Sequence, residues 1–273
     1  MNFGNKKSTI YLVIVLFFAF FYTIKNQPKY DSLLLKRLDL DNYKFIAHAG
    51  GGINDLIYTN SKESIYNSIK NGFKLIELDL QETDDNIFIA VHDWYHFNKM
   101  TGYKKNNNLF DNIKNLKIYD KYNLLFKDEI NEIFLQNKDL YFVTDKSNNF
   151  KKLNNDFKKI KKRMIVEIFD KRNFEKAVNE NILNPMYNYK LGDYKYVIRN
   201  NIKIVSASIK EILKNPLEFE RLVKKNVYIF AYTSNEDKLI NQNIGKLFTH
   251  VYTDFFDIKN KRCKVEKELC KTY

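Results

Sequence analysis

The segment LIELDLQETDDNIFIAVHDW, residues 75–94, consists of two apolar runs joined by a short polar stretch. Glu77 and Asp79 lie two positions apart in the first run, so in a β-strand they share one face while the intervening apolar residues share the other. Two ionised carboxylates on a buried face are costly without a counter-charge, and a hard divalent cation is the simplest one. The segment therefore predicts a metal site, with exposed carboxylates on a hairpin as the alternative.

Strand-like apolar runs recur along the chain, and helical patterns separate most of them. We predict eight strands, at residues 44–48, 75–80, 87–92, 140–145, 164–169, 203–207, 227–232 and 250–254. Alternating strands and helices indicate parallel strands with right-handed crossovers, and eight of them indicate an α/β fold, the (β/α)8 TIM barrel. Only six residues separate Leu80 from Ile87, too few for a crossover helix. Residues 93–127 form a long insertion that could cover one end of the barrel.

Several candidate reactive residues lie at the ends of predicted strands. His48 ends the first strand, His92 the third and Asp145 the fourth. Because active sites of such barrels lie at the C-terminal ends of the strands, we expect these side chains to meet Glu77 and Asp79 at one mouth. Two imidazoles beside a carboxylate-bound metal form an acid and base pair suited to proton transfer.

An uncharged, mostly apolar run extends from Ser8 to Ile24 and follows Lys6 and Lys7. This run is long for a signal-peptide core and near the lower limit for a helix that spans a bilayer, and no small-residue cleavage site follows it. We predict that residues 1–27 contain an N-terminal transmembrane anchor helix, with a cleaved signal peptide as the alternative. The barrel is then expected on the extracytoplasmic side, either anchored or secreted.

The chain carries 46 Lys and Arg against 33 Asp and Glu, a formal net charge of +13. Such an excess of positive charge favours binding to anionic lipid or to a phosphate-bearing polymer, although a genome that is rich in Lys and Asn codons also produces it. The densest basic stretches, 151–163 and 259–271, lack the interleaved aromatic residues of a nucleic-acid platform. We therefore predict no nucleic-acid partner.

The length of 273 residues allows one large core, and no stretch has the composition of an interdomain linker. We place a single barrel domain at residues 43–257 and a basic tail at residues 258–273. Cys263 and Cys270, the two cysteines of the chain, lie in this tail. They could form a disulfide in an oxidising compartment.

Five motifs, taken in order, resemble the glycerophosphodiester phosphodiesterase family, within the wider group of barrel phosphodiesterases that includes phosphatidylinositol-specific phospholipase C. The motifs are IAHAGGG (46–52), YTNSKESI (58–65), GFKLIELDLQETDDNIFIAVHDW (72–94), FVTDKS (142–147) and VYTDFF (251–256). The resemblance extends from about Tyr43 to Phe256. Its order and spacing make it specific.

The resemblance implies a role for each matching residue. His48 and His92 match the family histidines that act as general base and general acid in an in-line attack on a phosphodiester. Glu77 and Asp79 match the Glu-x-Asp metal ligands, and Asp145 matches a further acidic ligand. One divalent ion, Mg²⁺ or Ca²⁺, is therefore expected between the three carboxylates.

Other residues are expected to contact the substrate or to play structural parts. Lys146 matches a family lysine that contacts a phosphate oxygen, Trp94 could flank the substrate, and Glu167 on the fifth predicted strand could line the mouth. Asp93 could orient His92. For Trp94 and Asp93, ordinary packing is the alternative, and we expect His96 and His250 to be structural.

Two positions depart from the family pattern. Ala49 replaces the arginine of the His-Arg-Gly motif, which contacts phosphate in the family. Thr59 stands where the Glu-Asn-Thr motif supplies a metal ligand, and Glu63, four residues later, matches a position that is not a ligand. The motifs together resemble a variant branch of the same superfamily whose members keep both histidines and the Glu-x-Asp pair. The two departures bear on the expected substrate and number of metal ions more than on the expected reaction.

The predicted function is metal-dependent hydrolysis of glycerophosphodiesters to glycerol 3-phosphate and an alcohol. One alternative is phospholipase-type cleavage of a membrane or surface-polymer phosphodiester. Another is a catalytically inactive barrel that binds phosphate-containing lipid or polymer. The expected partners are a small-molecule or lipid phosphodiester and, through the N-terminal helix, the membrane.

Overall fold

The structure is a computed structural model that describes residues 38–105, 107–265 and 269–270. The anchor predicted within residues 1–27 lies outside the described residues. Among the residues that are described, no helix is long and apolar enough to cross a membrane.

Strands and helices alternate along most of the described chain. The strands are β1 (Phe45–Ala47), β2 (Leu75–Glu82), β3 (Phe88–Ala90), β4 (Lys117–Ile118), β5 (Tyr122–Asn123), β6 (Tyr141–Asp145), β7 (Met164–Ile168), β8 (Pro185–Asn188), β9 (Ile204–Ser208), β10 (Tyr228–Tyr232), β11 (His250–Thr253), β12 (Phe256–Asp257) and β13 (Arg262–Cys263). The α-helices are α1 (Lys62–Lys70), α2 (Trp94–Thr101), α3 (Phe110–Ile113), α4 (Lys127–Gln136), α5 (Phe150–Asp156), α6 (Lys171–Asn179), α7 (Tyr194–Arg199), α8 (Ile209–Lys214), α9 (Pro216–Lys224) and α10 (Asp237–Asn243).

Eight of these strands form a closed parallel barrel. In order around the barrel they are β1, β2, β6, β7, β8, β9, β10 and β11, and β1 pairs with both β2 and β11. Helices connect most of the barrel strands, so the fold is the predicted (β/α)8 barrel. The carboxyl ends of all eight strands consequently lie at one mouth.

Apolar residues fill two regions around the barrel wall. The alternation along β2 divides its side chains as predicted: Ile76, Leu78 and Leu80 join the layer between strands and helices. An interior cluster lies towards the N-terminal ends of the strands and comprises Ile46, Leu75, Tyr141, Val143, Ile165, Met186, Ile204, Phe230 and Tyr252 together with flanking residues. The interior cluster closes the barrel below the mouth, which leaves the mouth to polar side chains.

The prediction that residues 87–92 form a barrel strand is wrong. This segment contains β3, which pairs antiparallel with the end of β2, with Leu80 opposite Ala90. The six residues between the two apolar runs therefore make a hairpin rather than a crossover. The hairpin returns the chain to the mouth, where the N–H of Val91 donates to the carbonyl of Asp79 at 2.9 Å.

The eighth barrel strand is β8, which the sequence pattern did not reveal. Its sequence, PMYN, contains a proline and an asparagine, both uncommon in strands, and has no continuous apolar run. Pro185 is the first residue of the strand, a position that tolerates the missing N–H. Neighbouring strands on both sides determine the pairing of β8.

The insertion at residues 93–127 folds beside the mouth with its own apolar cluster. Phe97, Ile113 and Ile118 are fully buried there with Ile89 of β3. At its other end, the insertion is attached to α1, because Glu63 accepts hydrogen bonds from the backbone and the side chain of Asn123. Glu63 is thus a structural residue, at a position where the sequence predicted no metal ligand.

The described part of the C-terminal tail folds back onto the barrel. β13 pairs with β12, and the N–H of Lys264 donates to the carbonyl of Phe255 at 2.9 Å. Cys263 and Cys270 form a disulfide with their Cα atoms 5.7 Å apart.

Candidate active site

A tight turn after β1 places the first histidine at the mouth. Ala49 has a φ of 48°, and Gly50 has a φ of 83°. A Cβ atom on Gly50 would lie 2.3 Å from Oγ of Ser64 on α1, so glycine is required both for the conformation and for the close approach. The turn directs the N–H of Ala49 to Oε2 of Glu77 at 2.7 Å. Ala49 thus contributes a backbone donor where the family pattern has an arginine.

A cavity of about 240 Å³ opens at the carboxyl ends of the barrel strands. The residues that line it are His48, Tyr58, Glu77, Asp79, His92, Asp145, Lys146, Glu167, Phe169, Tyr232, Thr233 and Tyr252. Seven of the eight predicted site residues are in this set. The exception is Trp94, which instead packs edge to face on Phe97 in the insertion, with ring centroids 5.4 Å apart.

Three carboxylates converge on one side of the cavity. Glu77, Asp79 and Asp145 each offer an oxygen, and these oxygens lie within 4.8 Å of one another. Oδ1 of Asp145 is buried without a hydrogen-bond partner. Burial and the neighbouring acids raise the pKa of Glu77 and of Asp145 well above the ordinary range. This concentrated negative charge and the unpartnered oxygen fit a hard divalent cation such as Mg²⁺ or Ca²⁺, which prefers oxygen ligands.

Asn60 holds Asp79 in place from the loop before α1. Its Nδ2 donates to Oδ2 of Asp79 at 2.9 Å, and its Oδ1 accepts from the backbone N–H of Asp79 at 3.0 Å. Asn60 is the third residue of the YTNS motif and was not among the predicted site residues. The preceding residue, Thr59, is buried, and its hydroxyl lies 3.1 Å from Oγ of Ser61.

Lys146 is the basic residue closest to the carboxylates. Its Nζ lies 3.1 Å from Oδ2 of Asp145 and 3.6 Å from Oδ1 of Asp79. Burial lowers the pKa of Lys146, but Asp145 and Asp79 outweigh burial and raise it above the ordinary value. Lys146 therefore remains positively charged and partly offsets the acidic cluster.

His48 is paired with an acid from the last barrel strand. Nδ1 of His48 lies 2.9 Å from Oδ1 of Asp254, which is the residue after β11. Burial lowers the pKa of His48, but the charge and hydrogen bond of Asp254 outweigh it, so the net shift is upward. Asp254 was not predicted as a site residue, although the VYTDFF motif and its position directly after a strand pointed to it.

A second acid–histidine cluster lies across the mouth. Oδ2 of Asp93 lies 2.6 Å from Nδ1 of His92 and 2.7 Å from Nδ1 of His96. Oδ1 of Asp93 accepts from the backbone N–H of His96 at 2.8 Å and caps α2. Hydrogen bonds to His96 and His92 lower the pKa of Asp93 despite its partial burial. Asp93 therefore has the contact with His92 that an orienting role requires, and it also binds His96, which does not line the cavity.

Tyr58 lies between the two catalytic candidates. Its ring meets His48 edge to face with centroids 4.6 Å apart and His92 with centroids 5.1 Å apart. Burial, with the nearby acids, raises the pKa of Tyr58 to about 12, so its hydroxyl is protonated at neutral pH. No pattern in the sequence specifically indicated this placement.

Two further predicted residues occupy defined positions. Glu167 is buried in the cavity wall, where its Oε1 accepts from Asn188 at 2.8 Å and from Ser206 at 2.7 Å. His250 lies inside the barrel away from the cavity, and its Nε2 is 3.0 Å from the carbonyl of Leu40. This environment agrees with a structural role for His250.

A closed (β/α)8 barrel with two histidines and an acidic cluster at its mouth has the architecture of a barrel phosphodiesterase. The profile of the Glycerophosphoryl diester phosphodiesterase family matches residues 48–258. The chain therefore belongs to this family, whose members are phosphoric diester hydrolases. No curated protein resembles the sequence closely enough to count as a relative.

Solved structures share the fold at low sequence identity. A glycerophosphodiester phosphodiesterase from Parabacteroides distasonis superposes with a TM-score of 0.66 at 17% identity, covering 78% of this chain and 93% of its own. One from Thermotoga maritima gives 0.62 at 17% identity, covering 78% and 94%. A phosphodiesterase from Oleispira antarctica in complex with the product sn-glycerol-3-phosphate gives 0.63 at 14% identity, covering 77% and 92%.

Proposed function

We propose that the protein is a metal-dependent phosphodiesterase that cleaves glycerophosphodiesters to glycerol 3-phosphate and an alcohol. The observation that carries the proposal is the convergence of Glu77, Asp79 and Asp145 in one cavity with His48 and His92. The product complex of the Oleispira antarctica protein supports the choice of substrate class.

The three carboxylates would hold one Mg²⁺ or Ca²⁺. Such an ion supplies a positive charge that offsets a non-bridging phosphate oxygen and the charge that builds during attack. Lys146, which remains cationic beside Asp145, would contact another phosphate oxygen. These positive charges counter the acidic wall, which would otherwise repel a phosphodiester anion.

The two histidines divide the proton transfers. Because Asp254 occupies Nδ1 of His48, Nε2 is the ring nitrogen left to take a proton from the nucleophile, which is water or a hydroxyl of the substrate. Asp93 likewise occupies Nδ1 of His92, so His92 uses Nε2 to protonate the departing alcohol oxygen. Each carboxylate fixes the orientation of its imidazole and stabilises the protonated form.

Phospholipase-type cleavage is a second candidate. The observation in its favour is that Phe169 lines the cavity and is 40% exposed, so an apolar side chain at the mouth could contact an acyl-bearing substrate. We also propose that residues 8–24 anchor the barrel on the extracytoplasmic side. The Cys263–Cys270 disulfide supports an oxidising compartment.

Phosphorus NMR of the products separates these candidates. The purified protein is incubated with glycerophosphocholine or with phosphatidylcholine vesicles, in the presence of Mg²⁺, Ca²⁺ or EDTA. We expect glycerol 3-phosphate from the soluble diester, and the spectrum also distinguishes an open from a cyclic phosphate. Turnover of vesicles but not of glycerophosphocholine would replace the main proposal with the phospholipase candidate.

A further inference from the structure

The hydroxyl of Tyr252 is a buried polar group that has no hydrogen-bond partner in the described part of the chain. Tyr252 lies on β11, is 3% exposed, and belongs to the interior cluster beneath the mouth. It nevertheless lines the cavity. Because an unsatisfied buried hydroxyl is costly, such a group in a binding cavity points to a ligand that completes it.

The surroundings of Tyr252 make its hydroxyl a donor. Burial and the acids Glu167, Glu77 and Asp145 raise the pKa of Tyr252 well above the ordinary value, so the proton is retained. Its ring meets that of His48 edge to face, with centroids 6.3 Å apart. The hydroxyl therefore belongs to the same cavity as the proposed base and the acidic cluster.

Tyr58, Tyr232, Thr233 and Tyr252 all bring a hydroxyl to the cavity, but among these described residues only Tyr252 has it buried without a hydrogen-bond partner. The walls also contain several carboxylates, and the ammonium of Lys146, which keeps a donor for phosphate, is shared with Asp145 and Asp79. Ala49 has no side-chain donor, and its N–H is used by Glu77.

We propose that Tyr252 is a substrate-contacting residue whose hydroxyl donates a hydrogen bond to a phosphate oxygen of the bound phosphodiester. This inference rests on the proposed function and adds to it a further contact with the phosphate. The contact involves no covalent change. It predicts that the hydroxyl contributes to the affinity for phosphate compounds and not to the affinity for the metal.

The test is Tyr252→Phe, which removes only the hydroxyl. Tyr141→Phe is the matched control, because Tyr141 belongs to the same interior cluster but does not line the cavity, and its hydroxyl accepts from the N–H of Asp39 at 3.2 Å. For each variant we would measure the KM for glycerophosphocholine, the Kd for glycerol 3-phosphate in the presence of Mg²⁺, and the Kd for Mg²⁺ alone. Circular dichroism and the melting temperature report on folding.

We expect Tyr252→Phe to raise the KM and the Kd for glycerol 3-phosphate roughly tenfold or more, the loss of one hydrogen bond to a charged group. The Kd for Mg²⁺ and the fold should not change, and Tyr141→Phe should match the wild type in all ligand measurements. Unchanged glycerol 3-phosphate binding in Tyr252→Phe would overturn the proposal, as would a loss confined to Mg²⁺ affinity.

The same measurements separate this inference from the proposed function. If the wild type turns over glycerophosphocholine and Tyr252→Phe behaves identically, the inference fails and the function stands. If the wild type binds glycerol 3-phosphate through Tyr252 but hydrolyses no diester, the inference stands and the barrel is a binding protein. If the wild type neither binds glycerol 3-phosphate nor hydrolyses a diester with either Mg²⁺ or Ca²⁺, both are overturned.

Discussion

Nδ1 of His48 lies 2.9 Å from Oδ1 of Asp254, although the two residues are 206 positions apart in the chain. Closure of the barrel makes this contact, because β1 pairs with β11 and each residue directly follows one of these strands. The carboxylate engages one ring nitrogen, so the other remains for proton transfer. The pair thus connects the fold to the proposed base.

Asp254→Asn should reduce kcat about tenfold or more, because the imidazole loses its charged partner. Since Asp254 raises the pKa of His48, its neutralisation should lower that pKa. A base must be unprotonated, so the acidic limb of the kcat/KM profile should move to lower pH. Asp257→Asn, which alters an acid in the following surface turn, is the control. An acidic limb at the wild-type pH would contradict the role given to Asp254.

Asp145→Asn should weaken Mg²⁺ or Ca²⁺ binding and lower kcat by about a hundredfold, since charge stabilisation at the phosphate is lost. Titration calorimetry measures the binding, and added metal should restore activity in part. Glu63→Gln is the matched control, because Glu63 on α1 accepts a hydrogen bond from Asn123 in the insertion and does not belong to the carboxylate cluster. Equal metal affinity in Asp145→Asn and the wild type would exclude Asp145 as a ligand.

His92→Asn should slow hydrolysis of glycerophosphocholine by about a hundredfold or more, since the alkoxide that leaves from this substrate needs a proton. A p-nitrophenyl phosphodiester has a leaving group that needs no proton, so the variant should hydrolyse it at nearly the wild-type rate. His96→Asn, which changes the other histidine bound to Asp93, should affect both substrates little. Equal losses of His92→Asn on the two substrates would argue against general-acid catalysis by His92.

Stability should depend on His250 below neutral pH. Burial lowers its pKa from 6.5 to about 3, a shift that its hydrogen bond to Leu40 opposes in part. Between pH 6.5 and about pH 3, the imidazole of His250 is therefore protonated in the unfolded chain but neutral in the folded one. As the pH decreases through this window, His250 should lower the free energy of unfolding by up to about 1.4 kcal/mol per pH unit. The free energy of unfolding, measured by urea denaturation at several pH values, should depend less steeply on pH in His250→Phe than in the wild type. Identical slopes would contradict the depressed pKa.

The sequence predicted the barrel class and seven of its eight strands because the alternation of strands and helices is a local pattern, although it misassigned residues 87–92. Alternation along β2 placed Glu77 and Asp79 inwards, and the structure has them in the cavity. By contrast, β8 is specified by its neighbours on both sides rather than by its own composition. Asn60 and Asp254 act through contacts that span 19 and 206 positions, distances over which a single sequence carries no pairing signal.

The central claim is that the carboxylate cluster and His48 together hydrolyse a phosphodiester. Its most direct test is the release of glycerol 3-phosphate from glycerophosphodiesters by the wild type, Glu77→Ala and His48→Ala, each with Mg²⁺, Ca²⁺ or EDTA. We predict metal-dependent turnover by the wild type that EDTA and either substitution abolish, with both variants folded. Absence of turnover by the wild type with either metal, lipid diesters included, would contradict the claim.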